Sequence, residues 1–305
     1  MLCALLLPAS FLAADCLQVM TSADLMHDQG RYADARAVLL EAVTTASGRE
    51  ASELYWRISR ETEELGNQAE TSRMPKARII AYFDQGETYA DAAIRADPGF
   101  DFGYFWKCIA ILGRLGQVRG VFNALSQAGP IRDLLLKTIS LNPDRALAWF
   151  VLGQLYRELP GWPFSFGSTD IAVSLGRKAV DLNMAKDNAG AEKGATYNFQ
   201  LELAKSLYNR NWSADQRLWA QKEKAARLGE ATKIFEKAAL FEATVTLKDE
   251  SDRQEAESLV REVVGTMESL PELTASQRRD LANARETLAR WQSEQAFDRP
   301  VRNTR

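Results

Sequence analysis

The chain has 305 residues, a net charge of −3 and 46% hydrophobic residues, an ordinary composition for a globular protein. Its slight acidity argues against a nucleic-acid-binding protein, because such proteins normally carry a basic domain. Three scattered cysteines without a CxxC pair provide neither a disulfide framework nor a metal-binding pair.

The first fourteen residues, MLCALLLPASFLAA, are apolar and end in small residues. This composition is typical of an export signal and predicts a signal peptide over residues 1–14, with cleavage near Ala14–Asp15. The segment lacks the usual Lys or Arg, so a hydrophobic helix packed on the body is the alternative. It is too short to span a bilayer as a helix, and we expect no transmembrane segment in the mature chain.

Helical segments follow, in which apolar and small residues recur at helical spacing. The stretch GRYADARAVLLEA, from Gly30 to Ala42, matches a turn and the second helix of a pair. The next two pairs end in related stop signals, RADP at Pro98 and SLNP at Pro143. Proline cannot continue a helix and it restricts the residue before it, so both sites predict helix ends.

The clearest pair lies in the middle of the chain. Its first helix has the spacing W-x2-L-G-x2-Y, at Trp149, Leu152, Gly153 and Tyr156. Its second helix has the spacing A-x3-G-x2-A, at Ala172, Gly176 and Ala179. Together they form the signature of the tetratricopeptide repeat, in which small residues let two helices approach closely.

An insertion with the sequence PGWPFSFGS, residues 160–168, separates these two helices. Its prolines and glycines exclude a helix. Its three aromatic side chains, Trp162, Phe164 and Phe166, are costly to expose. We predict that the insertion packs over an adjacent repeat, and the alternative is a lid that narrows a ligand groove.

A further pair is predicted from Leu203 to Leu207 and, for its second helix, in GEATKIFEKAA from Gly229 to Ala239. The Arg- and Lys-rich stretch 217–227 between them is predicted to be a solvated helix, and a basic partner-binding stripe is the alternative. Two amphipathic segments near 249–268 and 274–296 lack the repeat signature. The second has Thr274 as its predicted N-cap, and both are predicted to cover the apolar end of the repeats.

The anchor positions of the five first helices fall at Ala23, Ser59, Cys108, Gly153 and Ala204. Their spacing exceeds the standard repeat of about 34 residues. The sequence thus predicts an all-α, right-handed superhelical solenoid of degenerate, expanded tetratricopeptide-like helix pairs. About five repeats are expected over 15–245, C-terminal capping helices over 246–297, and a disordered tail over 298–305.

The stretch from Tyr55 to Asn183 resembles the tetratricopeptide domain of the regulator of microtubule dynamics proteins and their bacterial relatives. The resemblance rests on FDQGETYADAAIRADP, IRDLLLKTISLNPDRALAWFVLGQLYRELP and GWPFSFGSTDIAVSLGRKAVDLN. It covers under half of the chain and implies a helical-repeat interaction module without catalytic residues. The export segment and the C-terminal third depart from the family, so no microtubule role is carried over.

Motifs for phosphate, dinucleotide or zinc chemistry do not occur in the sequence, which predicts a non-enzyme without cofactor or metal. The single histidine, His27, precedes a predicted turn and is assigned a partly exposed surface role rather than a catalytic one. Glu61, Glu63 and Glu64 are predicted to form a solvated face, whereas a cluster of buried carboxylates with raised pKa would favour an enzyme. Cys108 is predicted to be a buried, unreactive thiol.

In stacked repeats the first helices line a concave surface. The predicted ligand-contacting positions on that surface are Trp56, Arg60, Phe105, Phe150, Gln154, Arg157, Lys205 and Tyr208. Aromatic and cationic side chains of this kind suit an extended peptide or a carboxylate-bearing ligand. The alternative is that Trp56, Phe105 and Phe150 pack between neighbouring helices.

These observations predict a non-catalytic scaffold that binds a protein or peptide partner and no nucleic acid. If the N-terminal segment directs export, the scaffold works in a bacterial cell envelope, in the periplasm, and otherwise in the cytoplasm. The alternative is a component that binds a small apolar ligand and passes this cargo to a transporter or partner protein. An open groove would favour the first function, and a closed aromatic pocket would favour the second.

Overall fold

A computed structural model describes residues 9–117, 121–185 and 196–297. Within these ranges the chain forms thirteen α-helices, one short 3-10 helix and no strand, which confirms the all-α class. The helices are α1 (Ala9–Asp28), α2 (Tyr32–Ala42), α3 (Gly48–Thr71), α4 (Lys76–Ala96), α5 (Asp101–Gln117), α6 (Val121–Leu141), α7 (Ala146–Glu158), α8 (Thr169–Ala185), α9 (Thr196–Arg210), α10 (Ala214–Leu228), α11 (Ile234–Ala239), the 3-10 helix (Phe241–Thr244), α12 (Asp252–Glu268) and α13 (Ala275–Phe297).

The two ends of the chain bear on the predicted signal peptide and tail. Residues 1–8 and the predicted tail 298–305 lie outside the described residues. Residues 9–14 belong to α1, which continues through the predicted cleavage position. Export and cleavage stay predictions. Across the described ranges, none of the helices combines the length and the apolar character that a membrane span requires.

Local signals in the sequence set several helix ends as predicted. α4 ends at Ala96 and α6 ends at Leu141, each shortly before its Xaa-Pro stop. Thr274 caps α13, because its Oγ1 accepts from the backbone N–H of Gln277 at 3.2 Å. The Gln277 side chain accepts in return from the Thr274 N–H at 2.9 Å, which completes a capping box.

The chain divides into two compact units, Met1–Pro143 and Asp144–Arg305. In the first unit, consecutive helices pack as the pairs α1–α2, α3–α4 and α5–α6. The anchors Ala23, Ser59 and Cys108 are fully buried in these pairs. A Cβ atom at Gly113 would lie 2.3 Å from the ring of Phe83, so the approach of α5 to α4 requires glycine.

In the second unit, α7 packs on α8, α8 on α9, and α9 on α12. The prediction that residues 229–239 supply the second helix for α9 is wrong. α11 has six residues and packs on α8 and the 3-10 helix, whereas α12 has seventeen residues and packs on α9. Buried apolar side chains of α12 such as Val260 and Met267 cover α9, so residues 211–251 form an insertion inside the last helix pair.

Arg210, at the end of α9, is the centre of a buried ionic network. Its guanidinium donates to the Glu242 carboxylate at 2.7 and 2.9 Å and to the Asp252 carboxylate at 2.8 and 2.9 Å. All three side chains are at most 1% exposed. These contacts join α9 to the 3-10 helix of the insertion and to the first residue of α12.

Two cations of α10 extend this network. The Lys224 ammonium donates to Glu242 at 2.9 Å and to Asp170 of α8 at 2.5 Å. The Arg217 guanidinium pairs with Glu255 of α12 and donates to the backbone carbonyl of Glu250. Both α10 side chains are buried, so the solvated helix predicted for 217–227 is wrong at these two positions.

Arg177 of α8 closes the network through a bidentate contact with Glu255, at 2.9 and 2.8 Å. The described residues thus bring four cations and four carboxylates together. Burial alone would raise the pKa of Glu242, but the hydrogen bonds and charges of Arg210, with Lys224 and Arg177, hold it well below its ordinary range. Glu242 therefore stays ionised within the network.

We predict that Arg210→Met lowers the free energy of unfolding by about 3–5 kcal/mol, because Glu242 and Asp252 stay buried with too little positive charge. Urea-induced unfolding followed by circular dichroism measures this loss. Arg285→Met is the matched control, since Arg285 is exposed and pairs with Glu268 at the surface, and it should cost less than about 1 kcal/mol. Equal losses in the two variants would contradict the role assigned to the network.

Candidate functional site

A small cleft lies in the second unit where α7, α8 and α9 meet. It holds about 200 Å³ of empty space that is open to solvent. The cleft is lined by Phe150, Gly153, Gln154, Ala172, Gly176, Phe199, Glu202, Leu203 and Ser206. It therefore contains two of the predicted ligand-contacting residues, Phe150 and Gln154.

The floor of the cleft consists of the small residues that the repeat signature identified. A Cβ atom at Gly176 would lie 3.2 Å from Leu203 Cδ1, and one at Gly153 would lie 3.4 Å from the Ala172 carbonyl oxygen. An alanine at Gly153 would make ordinary van der Waals contact, whereas one at Gly176 would require Leu203 to shift by a few tenths of an ångström. Small residues keep the helices close and leave the floor of the cleft low.

One wall of the cleft is aromatic. The rings of Phe150 on α7 and Phe199 on α9 stack, with centroids 4.5 Å apart and an angle of 26° between their planes. Phe199 is buried and Phe150 is half-buried. Phe150 thus packs between neighbouring helices, as the alternative prediction states, and also presents part of its ring to the cleft.

Gln154 brings an unused hydrogen-bonding group to the cleft. Its side chain is half-buried, and no described residue hydrogen-bonds its carboxamide. A carboxamide carries both donors and an acceptor, as a peptide backbone does. Gln154 can therefore pair with the backbone of an extended segment without giving up an internal contact.

The predicted cations Arg157 and Lys205 are bound to the protein itself. Arg157 donates to the Glu202 carboxylate at 2.7 Å and to its backbone carbonyl at 3.0 Å, and Lys205 donates to the other carboxylate oxygen at 2.6 Å. Burial would raise the pKa of Glu202, but these two cations hold it below its ordinary range. Neither cation is free to capture a ligand carboxylate.

Tyr208 does not line the cleft. Its ring stacks on Trp291 of α13 at 4.1 Å, and its hydroxyl donates to Glu294 at 2.8 Å. Burial, with the Glu294 hydrogen bond, raises the pKa of Tyr208 to about 12. The structure thus places Tyr208 in the contact between α9 and α13, and its role in ligand binding stays a prediction.

The three predicted residues of the first unit lie together in an aromatic cluster. Trp56 stacks on Phe102 at 4.5 Å, and Phe105 packs edge-on against Phe102 at 6.4 Å. Trp56 and Phe105 are only 3% exposed. The Arg60 guanidinium lies over the Trp56 ring and pairs with Asp24 at 2.6 Å. Their burial favours the packing alternative, and ligand binding by these residues stays a prediction.

The insertion 160–168 packs only in part. Phe166 packs at 5.1 Å against Tyr156 of its own repeat, not of an adjacent one, and Trp162 is 90% exposed and Phe164 is 79% exposed. A tight turn, in which the Phe164 N–H donates to the Gly161 carbonyl at 3.1 Å, carries these two side chains outward. The packing prediction is therefore wrong for Trp162 and Phe164. None of the three aromatics lines the cleft, and a lid function stays a prediction.

The α9 contribution to the cleft was not predicted. Phe150 lies three residues before the anchor Gly153 of α7, and the same count from the anchor Ala204 of α9 selects Leu201, which is fully buried. The α9 residues that line the cleft are instead Phe199, Glu202 and Ser206. The reason is geometric, since a cleft between two successive first helices uses opposite faces of them. The spacing of Phe199, Glu202 and Ser206, three and four residues apart, marks that other face.

Comparison with known proteins places this geometry in a family context. The family model of regulator of microtubule dynamics protein 1-3 matches residues 19–163. Regulator of microtubule dynamics protein 1 from Mus musculus is 23% identical over 146 residues, covering 47% of this chain and 45% of the mouse protein. The Bos taurus protein of the same name is 25% identical over 159 residues, covering 47% of this chain and 49% of that protein. The chain spans about half the length of these curated relatives.

A solved structure agrees with the repeat signature. TTC0263, a thermophilic TPR protein in Thermus thermophilus, matches with a TM-score of 0.53 and 14% identity, covering 88% of this chain and 98% of that chain. The chain has a tetratricopeptide-like helical fold. The predicted fold class and the stated resemblance are thereby confirmed.

Within this tetratricopeptide-like fold, the predicted solvated face of α3 is wrong, because Glu61 and Glu63 are buried. The Glu61 carboxylate has two partners. Its Oε2 lies 3.0 Å from His27 Nδ1, and its Oε1 lies 2.7 Å from the Arg60 guanidinium. His27 is 25% exposed, in agreement with the predicted partial exposure, but its ring contacts a buried carboxylate rather than lying free at the surface. The partners of Glu61 come from α1 and from α3 itself, and the distant one, His27, could not be read from local spacing.

Glu63 is buried between α3 and α4 without a charged partner. Ser59 donates to its Oε1 at 3.1 Å, and its Oε2 has no partner among the described residues. Burial, with a smaller contribution from Glu64, raises the pKa of Glu63 well above its ordinary range although the Ser59 hydrogen bond opposes this. A Cβ atom at Gly86 would lie 3.0 Å from Glu63 Cγ, so glycine makes room for the carboxyl.

The surroundings of Glu63 do not form a catalytic centre. Cys108 is fully buried, and burial, with the charge of Glu63, raises the pKa of its thiol. Glu61 is ion-paired, so Glu63 is a single carboxyl with a raised pKa rather than a cluster. It lies in a helix contact that the side chains of α3 and α4 close off. The described residues also contain no group of three or more metal-ligating side chains suited to a metal ion.

We predict that Glu63→Gln removes a pH dependence of stability. In the unfolded chain Glu63 loses its proton near its ordinary pKa, whereas the folded protein keeps it. The stability of the native sequence therefore falls as the pH rises from about 4.5 toward the raised pKa, by up to about 1.4 kcal/mol per pH unit. Urea denaturation at pH 5 and pH 8 should show Glu63→Gln gaining stability relative to the native sequence.

The matched control for this experiment is Glu70→Gln, an exposed position on the same helix. It should leave the difference between pH 5 and pH 8 as it is in the native sequence. Parallel pH profiles for Glu63→Gln and the native sequence would show that the buried carboxyl does not keep its proton in the folded state.

Proposed function

We propose that this chain is a non-catalytic scaffold that binds an extended segment of a partner protein, and that the cleft between α7 and α9 receives one apolar side chain of that segment. The observation that carries the proposal is the combination in one cleft of an unused Gln154 carboxamide, a stacked aromatic wall and a floor of small residues. The tetratricopeptide-like fold supports it, since helical repeats provide extended binding surfaces.

The size of the cleft favours a peptide over a small-molecule cargo. Pockets for small molecules commonly measure about 300–1,000 Å³ and enclose most of the ligand. The cleft is shallow, and its roughly 200 Å³ includes space that is open to solvent, so it does not enclose a ligand as such pockets do. The alternative of a cargo-carrying component therefore has less support than the peptide-binding scaffold.

The electrostatics of the cleft also favour an apolar contact. Arg157 and Lys205 share the Glu202 carboxylate, so a ligand carboxylate would have to displace an internal ion pair. Gln154 can recognise the backbone of a segment whatever its sequence. Affinity would come from the buried apolar side chain, and orientation from the carboxamide.

We further infer that the scaffold works in a bacterial cell envelope. The apolar composition of residues 1–14 supports export. N-terminal sequencing of the protein recovered from a bacterial periplasm tests this inference. A chain that starts near Asp15 would support export, and an uncleaved chain found only in the cytoplasm would contradict it.

Selection from a displayed library of random peptides tests the binding proposal. Peptides selected on the full chain should bind Phe150→Ala/Gln154→Ala at least tenfold more weakly, because the variant loses the aromatic wall and the carboxamide. Fluorescence anisotropy with the labelled peptides measures the affinities. Trp219→Ala is the matched control, since Trp219 is an exposed aromatic of the same unit that does not line the cleft.

Selected peptides that bind the double variant as tightly as the native sequence would exclude the cleft as the contact site. Circular dichroism should show the same helix content in the variants, because Phe150 is half-buried and Gln154 has no internal hydrogen bond. A loss of binding in Trp219→Ala equal to that in the double variant would also contradict the proposal.

A further inference from the structure

The insertion 160–168 forms an aromatic loop that carries the two most exposed large hydrophobic side chains of the described residues. Trp162 is 90% exposed and Phe164 is 79% exposed, and neither ring contacts another aromatic ring or a cation in the described part of the chain. Two neighbouring aromatic side chains held in water are unfavourable unless another surface covers them, and such patches commonly mark interaction sites.

The base of the aromatic loop is held in one conformation by backbone contacts. The Gly167 N–H donates to the Pro160 carbonyl at 3.0 Å, and the Ser168 N–H donates to the Tyr156 carbonyl at 2.8 Å. A Cβ atom at Gly167 would lie 1.8 Å from the Leu159 carbonyl oxygen, so this closure requires glycine. A segment that is already ordered loses little conformational freedom when it binds. The loop therefore presents its two exposed aromatics as a preorganised feature.

The charge of the aromatic loop suits the cleft between α7 and α9. The loop sequence PGWPFSFGS contains no charged residue. In the cleft, the Glu202 carboxylate is already shared by Arg157 and Lys205. An uncharged segment leaves these ion pairs intact, whereas a charged one has to displace one of them or go without a counter-ion.

The hydrogen-bonding groups of the loop and the cleft also match. The N–H of Trp162 and the carbonyls of Trp162 and Phe164 have no hydrogen-bond partner among the described residues. The Gln154 carboxamide in the cleft has none either, and it offers both donors and an acceptor. Each side thus has free groups of the kind that the other side lacks.

Within one chain these two features do not meet, because the cleft is lined by residues of α7, α8 and α9 and by none of the loop. We propose that the cleft of one copy binds the aromatic loop of a second copy, with Trp162 and Phe164 against the exposed part of the Phe150 ring and Gln154 on the loop backbone. The contact joins two different surfaces of the same protein. This inference rests on the proposed function and names its partner as a second copy of this chain.

Sedimentation velocity of the full chain over a range of protein concentrations tests the inference. The native sequence should form complexes as the concentration rises. Trp162→Ala/Phe164→Ala, the loop variant, and Phe150→Ala/Gln154→Ala, the cleft variant, should each associate at least about tenfold more weakly, because each removes one side of the contact. Trp219→Ala is the matched control, since Trp219 is an exposed aromatic of the same unit outside both the loop and the cleft.

A mixture of the two variants separates the proposed contact from general hydrophobic association. The loop variant keeps its cleft, and the cleft variant keeps its loop. The mixture should therefore form a complex of two chains, although neither variant associates by itself. A native sequence that stays monomeric, a loop variant that associates like Trp219→Ala, or a mixture that forms no complex would overturn the inference.

The peptides selected from the displayed library distinguish failure of this inference from failure of the proposed function. They should dissociate the complex of native chains, because they compete for the same cleft. If the peptides bind in a way that depends on Phe150 but the native chain does not associate, the peptide-binding cleft stands and the second copy is excluded as its partner. If neither the peptides nor the association depends on Phe150 and Gln154, both proposals are overturned.

Discussion

The buried contacts of Arg210 with Glu242 and Asp252 hold α9, which forms one side of the cleft in the second unit, against the insertion and α12. They fix α12 against α9 across an insertion of about forty residues, and α12 in turn packs on α13. α9 then presents Phe199 and Glu202 to the cleft on one side and faces α13 on another. Buried charges of this kind add little to stability when they are all matched, but each is costly when its partner is lost. The network therefore selects one arrangement of the insertion and excludes arrangements that leave a charge unmatched.

Local patterns in the sequence were sufficient to predict the helix pairs from α1 to α8. The anchors Ser59, Cys108 and Gly153 and the Xaa-Pro stops depend only on neighbours within a few turns, so spacing reveals them. The helix that packs on α9 lies beyond residues 211–251 in the sequence, so local spacing does not reveal it. α11 has the spacing of a second helix, but its six residues are too few to cover α9. The inward-facing Arg217 and Lys224 of α10 were missed for the same reason. A charged helix face looks solvated unless the carboxylates that bury it, which come from α8, the insertion and α12, are known.

The α7 side of the cleft was predictable from the sequence, whereas the α9 side was not. The repeat register on α7 identified Phe150 and Gln154, because the signature W-x2-L-G-x2-Y fixes which face of that helix turns toward the next. The same register applied to α9 selected Lys205 and Tyr208, which lie toward α13, because successive first helices meet through opposite faces. Whether a side chain is free to bind a ligand was less predictable than where it lies. Arg157 was predicted to contact a ligand, but its guanidinium is held by Glu202, and only the three-dimensional partners show that it is not available.

Glu63 and Asp280 show why a raised pKa has different meanings in the two units. Burial is the main cause for both carboxyls. Glu63 is enclosed between α3 and α4 with Gly86 directly against it, so nothing outside the protein can reach it and its proton affects only stability. Asp280 is half-buried on α13, where solvent reaches its carboxyl and the charges of Arg279, Glu202 and Lys205 act on it. Accessibility, rather than the direction of the shift, therefore separates the two carboxyls, and neither shift by itself marks a functional site.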